Sequence, residues 1–121
     1  MTMTTLTAGQ TAPDFEAVDI FGQPVRLQAL HGRPVILSFY RYATCPFCTV
    51  RFVLMTRLLP RLSAAGVQVV GVFESRADYI QRYLGPRGIP FPVIADPEEQ
   101  LYRRYGVRKS LLGAMLGMFR V

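Results

Sequence analysis

The sequence predicts an α/β fold: a mostly parallel central sheet flanked by helices, with an N-terminal β-hairpin. Three observations predict it. Strand-length apolar runs alternate with helix-length amphipathic segments, and the connections between them span only a few residues. Both cysteines fall where the first long strand gives way to the first long helix. With 121 residues, 50% of them hydrophobic, the chain has enough material for one core, and a single domain over residues 1–121 is expected.

The elements follow in order. A polar lead ends at Ala12-Pro13-Asp14-Phe15. Ala17, Val18 and Ile20 run into the turn Phe21-Gly22-Gln23-Pro24, and Val25-Arg26-Leu27 alternates beyond it, which makes the hairpin. Leu27 to His31 forms a short helical turn closed by Gly32. Pro34 to Tyr40 is nearly continuous in apolar residues, the pattern of a parallel strand buried on both faces and therefore central. Phe47 to Ala65 places Val50, Val53, Leu54, Leu58, Leu62 and Ala65 at three- and four-residue spacing, an amphipathic helix stopped by Gly66. Pro60 lies inside it and is expected to kink its last turns. Val67 to Phe73 is a second buried strand, Ala77 to Leu84 a short helix ended by Gly85-Pro86, and Phe91 to Asp96 a third extended run. Asp96-Pro97-Glu98-Glu99 then begins a helix through Leu101, Tyr102 and Tyr105 to Gly106. Ser110 to Val121 is apolar and reads equally as a helix on the core or a partner surface.

The chemistry concentrates in Phe39 to Arg51. Cys45 and Cys48 stand at a strand-to-helix junction, where unpaired backbone N–H groups and the helix dipole favour a thiolate. Pro46 between them suits the first helical position, since its fixed φ is helical and its missing N–H is not needed there. Thr44 or Thr49 offers a hydroxyl to a thiolate, and Thr44 also suits the helix cap. One of Tyr40 and Tyr42 faces the site by strand alternation, with core packing the blander role. Arg41 and Arg51 are the nearest cations, and a solvated surface position is the simpler reading of both. Glu74 and Asp78 read as strand end and helix start rather than as an acid–base pair.

Several classes of function are set aside. The net charge of +6 comes from dispersed arginines and a single lysine, Lys109, without a basic run, so no nucleic-acid surface is expected. The first residues lack a basic start and an apolar run, and no stretch reaches spanning length, so a cytoplasmic protein without membrane contact is expected. Zinc needs three or four ligands, and beyond the two cysteines only His31 offers itself, so no metal or other cofactor is expected. Two closely spaced cysteines in such a chain read as redox-active rather than as a structural staple.

The ordered set of motifs resembles the peroxiredoxin-like branch of the thioredoxin-like proteins, the alkyl hydroperoxide reductase and thiol-specific antioxidant (AhpC/TSA) family. Over residues 9 to 109 the resemblance rests on Gly9 with Ala12-Pro13-Asp14-Phe15, on Asp19 to Leu27 around Gly22, and on Gly32 to Tyr40 entering the cysteines. It continues through Val67 to Phe73, Ile89 to Asp96 and Leu101 to Val107. The Cys45-Pro46-Phe47-Cys48 core is similar to the family's Cys-x-x-Cys members. The resemblance implies a thioredoxin-like fold with two further strands and a closing helix after Val107, expected here to be missing or truncated.

The departures matter as much. The usual family pattern, Pro-x-x-x-Thr-x-x-Cys, laid on Phe39-Tyr40 puts the peroxidatic cysteine on Cys48, the proline on Arg41 and the threonine on Cys45. The resemblance then implies that Cys48 attacks a hydroperoxide and Cys45 condenses with the sulfenic acid, an external dithiol such as a thioredoxin or glutathione system resetting the disulfide. Thioredoxins place the nucleophile first. On that register Cys45 attacks disulfides and Cys48 resolves them. A third reading is an inert binding or scaffold domain on the same fold. Arg41, Phe47 and the apolar tail suggest a homodimer face.

Overall fold

The structure is a computed structural model that describes residues 9–30 and 32–107. The readings for residues 1–8, for His31, and for everything after Val107, including the apolar tail and the further strands, lie outside the described residues.

β1 (Glu16–Val18) and β2 (Pro24–Arg26) form the expected antiparallel hairpin, with Ala17 opposite Val25. Asp19 holds its turn: its carboxylate accepts the amides of Phe21 and Gln23, at 2.8 and 2.9 Å. Gly22 has φ +85°, a conformation that costs a glycine least. A 3-10 turn, Leu27–Leu30, leads towards β3 (Val35–Phe39). α1 (Pro46–Ala64), β4 (Gln68–Phe73), α2 (Ala77–Leu84), β5 (Val93–Ala95) and α3 (Gln100–Arg104) follow.

The three long-range strands pair in parallel in the order β3-β4-β5, with Leu37 opposite Val70 and Val72 opposite Ile94. This corrects one expectation. β4 is the central strand, and among the described residues β3 pairs on one side only and is half-buried along most of its length. The apolar run of β3 reflects contact with α1 and with the hairpin side of the sheet rather than a central place in it.

β4 separates two cores. Val69 and Phe73 face α1 and α2, joining Tyr40, Phe52, Ile80 and Leu84, whereas Val70 and Val72 face the hairpin and α3, joining Phe15, Leu101, Tyr102 and Tyr105. Between them Gly71 lets rings approach the strand: a Cβ there would stand 3.1 Å from Phe91 and 3.4 Å from Tyr40. The hairpin is tied to the sheet through the Ile20 amide, which donates to the Val93 carbonyl at 2.9 Å.

α1 buries a stripe that shares only Leu62 with the expected one. Cys48, Phe52, Met55, Leu59 and Leu62 meet the core, while Val50, Leu54 and Leu58 are exposed. The helix continues through Pro60 and ends in a Schellman motif. Val67 N–H donates to Leu62 O at 2.8 Å and Gly66 N–H to Ser63 O at 3.0 Å, with Gly66 at φ +78°. The last helix starts later than expected, at Gln100, yet Asp96 still caps it. Its carboxylate accepts the amides of Gln100 and Leu101 at 2.9 and 2.8 Å from a buried position. Among the described residues no helix is long and apolar enough to cross a membrane.

Candidate active site

β3 delivers the chain to the site. The Tyr40 amide makes the last ladder bond, to Val72 O at 2.8 Å, and the chain then turns. Three bonds fix the turn: Glu74 N–H to Arg41 O at 2.8 Å, Ala43 N–H to Ser75 Oγ at 3.1 Å, and Cys45 N–H to Tyr42 O at 3.0 Å. Cys45 occupies the N-cap position with extended backbone, φ −73° and ψ 121°, and its sulfur makes no cap hydrogen bond. Pro46 takes the first helical position, as its ring geometry favours. The first amide bond of the helix is Thr49 N–H to Cys45 O at 3.0 Å, so the amides of Phe47 and Cys48 belong to its open, partly positive end.

Both cysteines are free thiols, and their environments differ. Cys45 is half-buried, whereas Cys48 is 2% exposed. Burial pushes the Cys48 thiol up to about 11. The Arg41 N–H, which donates to Cys48 Sγ at 3.0 Å, opposes this, as does the Tyr42 amide more weakly. Cys45, within hydrogen-bonding reach, raises it further. Desolvation of the charged form outweighs the amides, so Cys48 stays protonated near neutral pH.

The profile of the AhpC/TSA family matches residues 8–119. The chain belongs to the AhpC/TSA family. Among its relatives is peroxiredoxin Bcp of Escherichia coli, 31% identical over 113 residues that cover 92% of this chain and 72% of that protein. The crystal structure of peroxidoxin BcpB from Mycobacterium tuberculosis superposes with a TM-score of 0.76 at 29% identity, covering 93% of this chain and 71% of the other. A structure from Chlorobium tepidum described as a thiol:disulfide interchange protein DsbE gives a TM-score of 0.78 at 31% identity, covering 86% and 73%. The fold is thus shared with proteins named as peroxiredoxins and with one described as a thiol:disulfide interchange protein.

Within this family site the other expected residues take specific places. Arg41 meets Cys48 through its main chain. Its guanidinium carbon lies 5.2 Å from the Tyr42 ring centroid, and Nη2 donates to the Tyr42 hydroxyl at 3.4 Å. Thr44 is exposed and does not occupy the cap, which is Cys45. The Thr49 hydroxyl donates to Cys45 O at 3.1 Å. Arg51 is not a solvated surface residue: it is partly buried, its Nη1 donates to Phe39 O at 3.3 Å, and it lies over the Tyr40 ring at 5.2 Å. Tyr40 is a core residue, stacked on Phe73 at 4.6 Å with the planes 11° apart. Among the described residues no three His, Cys, Asp or Glu side chains come together as metal ligands.

Two residues that the sequence does not mark as site residues support the turn. Ser75 holds the Ala43 amide. The buried Tyr102 hydroxyl donates to Tyr40 O and to Val72 O, the latter at 3.0 Å, clamping the ends of β3 and β4 beneath the cysteines. Burial first, then the Glu74 and Asp96 carboxylates, keep this phenol protonated and hence a donor. Its only sequence signal is a tyrosine on the inward face of a short helix, which does not distinguish a clamp from ordinary packing.

Proposed function

We propose that this chain is a thiol-dependent peroxidase in which Cys45 is the primary nucleophile and Cys48 the resolving thiol. The observation that carries the assignment is the contrast within the pair: a half-buried cysteine at the helix cap beside a buried one whose thiol is pushed up by burial. The Cys45 thiolate attacks the terminal oxygen of a hydroperoxide, an S–O bond forms as the O–O bond breaks, and the alcohol or water leaves. Cys48 sulfur then attacks the sulfenic acid, an S–S bond forms and water departs. An external dithiol of the thioredoxin or glutathione type returns both sulfurs to thiols. A reducing compartment such as the cytoplasm suits the resting dithiol.

The test is mass spectrometry with a sulfenic-acid trap after brief hydrogen peroxide exposure. Cys48→Ser is expected to trap a sulfenic acid on Cys45, and the parent chain to form the Cys45–Cys48 disulfide. A sulfenic acid formed rapidly on Cys48 in Cys45→Ser instead restores the order that the family register implies. Slow oxidation of all three chains contradicts the peroxidase reading. The likeness to the interchange protein favours a second reading, attack of Cys45 on a disulfide. Reduction of glutathione disulfide by the parent, with no sulfenic acid formed, selects it.

A further inference from the structure

A cavity of about 370 Å³ opens at the end of the sheet away from the cysteines, where Val67 and Gln68 lead into β4. The six residues of β4, about 20 Å of strand, separate it from the cysteine turn, where the Glu74 amide meets Arg41 O. Both cores lend it wall: Leu59 of α1 and Phe91 of the loop before β5 from one side, Val25 of β2 and Leu30 of the 3-10 turn from the other. Val25 and Phe91 are buried, and Leu30 and Leu59 half-buried, so the inner wall is apolar and fixed by core packing. The volume lies within the range of small-molecule sites, which join a mostly apolar lining to a few polar groups that orient the ligand.

The charged groups at this cavity are cationic. Among the described residues Arg26 and Arg33 are the only charged side chains in its lining, and both are exposed. Arg26 has one ion pair, to Glu16 at 4.0 Å, and the two side chains are 62 and 72% exposed, so water screens the pair. Among the described residues the Arg33 guanidinium takes part in no ion pair, side-chain hydrogen bond or cation–π contact. Arg51 and Arg104, by contrast, are each held by a main-chain carbonyl, of Phe39 and Asp14. Two guanidiniums of like sign thus share one apolar cavity whose lining holds no counter-charge. An anionic group offered to their N–H forks supplies that charge, and an apolar body attached to it covers the wall.

We propose that this cavity binds a small organic carboxylate with an apolar body, the carboxylate on Arg26 and Arg33 and the body against Val25, Leu30, Leu59 and Phe91. The site is separate from the cysteines and does not depend on the peroxidase reading. A planar carboxylate matches the guanidinium fork. A neutral analogue leaves both cations unmatched, and a bare anion leaves the apolar wall in water.

The experiment titrates octanoate into the ¹⁵N-labelled chain and follows the backbone amides by NMR, a readout free of turnover. Saturable shifts are expected at Gly66, Val67 and Gln68, with none at Phe47 to Thr49. Octanol, which lacks the charge, and acetate, which lacks the body, are each expected to bind at least about 10-fold more weakly. Arg26→Ala and Arg33→Ala are each expected to weaken octanoate about 5- to 10-fold. Arg82→Ala, at an exposed arginine of α2 outside the cavity, leaves the affinity unchanged. No saturable binding of octanoate, octanol that binds as tightly as octanoate, shifts centred on the cysteine turn, or unchanged affinity in both cavity variants overturns the assignment. The comparison of octanoate with octanol uses the parent chain alone, so it decides the question independently of how the variants fold.

Discussion

The main-chain N–H of Arg41 donates to Cys48 Sγ over 3.0 Å, seven residues away across the strand-to-helix turn. The bond uses the backbone, so it does not depend on the arginine side chain, which turns to Tyr42. Arg41→Ala is accordingly expected to change the rate of peroxide oxidation by no more than about threefold, since the amide that meets the sulfur remains. Stopped-flow oxidation of the two chains checks this, and a hundredfold loss would assign the guanidinium a direct part.

Burial of Cys48 gives a defined pH dependence. Its folded value of about 11 lies above the free thiol's 9.0, so between these limits the folded chain holds a proton that the unfolded chain has released. The stability associated with Cys48 is therefore fully present below pH 9 and is lost as the pH rises through 11. Urea denaturation of the parent and Cys48→Ala across this range is expected to show a steeper alkaline decline in the parent.

Tyr102→Phe removes the donor that joins the ends of β3 and β4 while keeping the ring in place. A loss of about 1–2 kcal/mol is expected, because the Tyr40 carbonyl loses a buried partner while Val72 O keeps the Tyr40 amide. Chemical denaturation measures it, and a neutral result would show that the clamp contributes no stability.

Asp96→Ala removes the carboxylate that accepts the Gln100 and Leu101 amides. A loss of about 1–2 kcal/mol is expected from the missing cap. Asp96→Asn is expected to retain much of it, since an amide oxygen also caps.

Gly71→Ala introduces a Cβ at 3.1 Å from Phe91 and 3.4 Å from Tyr40. Overpacking of about 1–3 kcal/mol follows, with a shift of the Tyr40 ring. A thermal melt and the near-ultraviolet circular dichroism of the tyrosines report both effects.

Local chemistry was legible in the sequence. The hairpin around Gly22, the α2 limits at Ala77 and Leu84, Pro46 at the first helical position and the stop at Gly66 each follow from the conformational limits of one or two residues. What needed the third dimension was less so. α1 carries two apolar stripes, and periodicity alone does not say that Phe52 and Met55 rather than Leu54 and Leu58 meet the sheet. The apolar run of β3 looks like a central strand, but strand order depends on pairing partners distant in sequence. In the site, the Cys45-Pro46-Phe47-Cys48 spacing announced the redox pair, while the burial of Cys48 comes from its position on the α1 face that meets Tyr40 and Phe73. Arg51 and Tyr102 act through carbonyls at the ends of the strands, which no local pattern encodes.

Cys45 is expected to react before Cys48. The most direct test of that order is the second-order rate of hydrogen peroxide reaction at pH 7 for Cys48→Ser and Cys45→Ser, followed by loss of free thiol. Burial pushes the Cys48 thiol up, so less of it is ionised at that pH than of an ordinary thiol. Cys48→Ser is therefore expected to react within a few-fold of the parent, and Cys45→Ser at least about a hundredfold more slowly. A fast Cys45→Ser and a slow Cys48→Ser would contradict the account and make Cys48 the nucleophile.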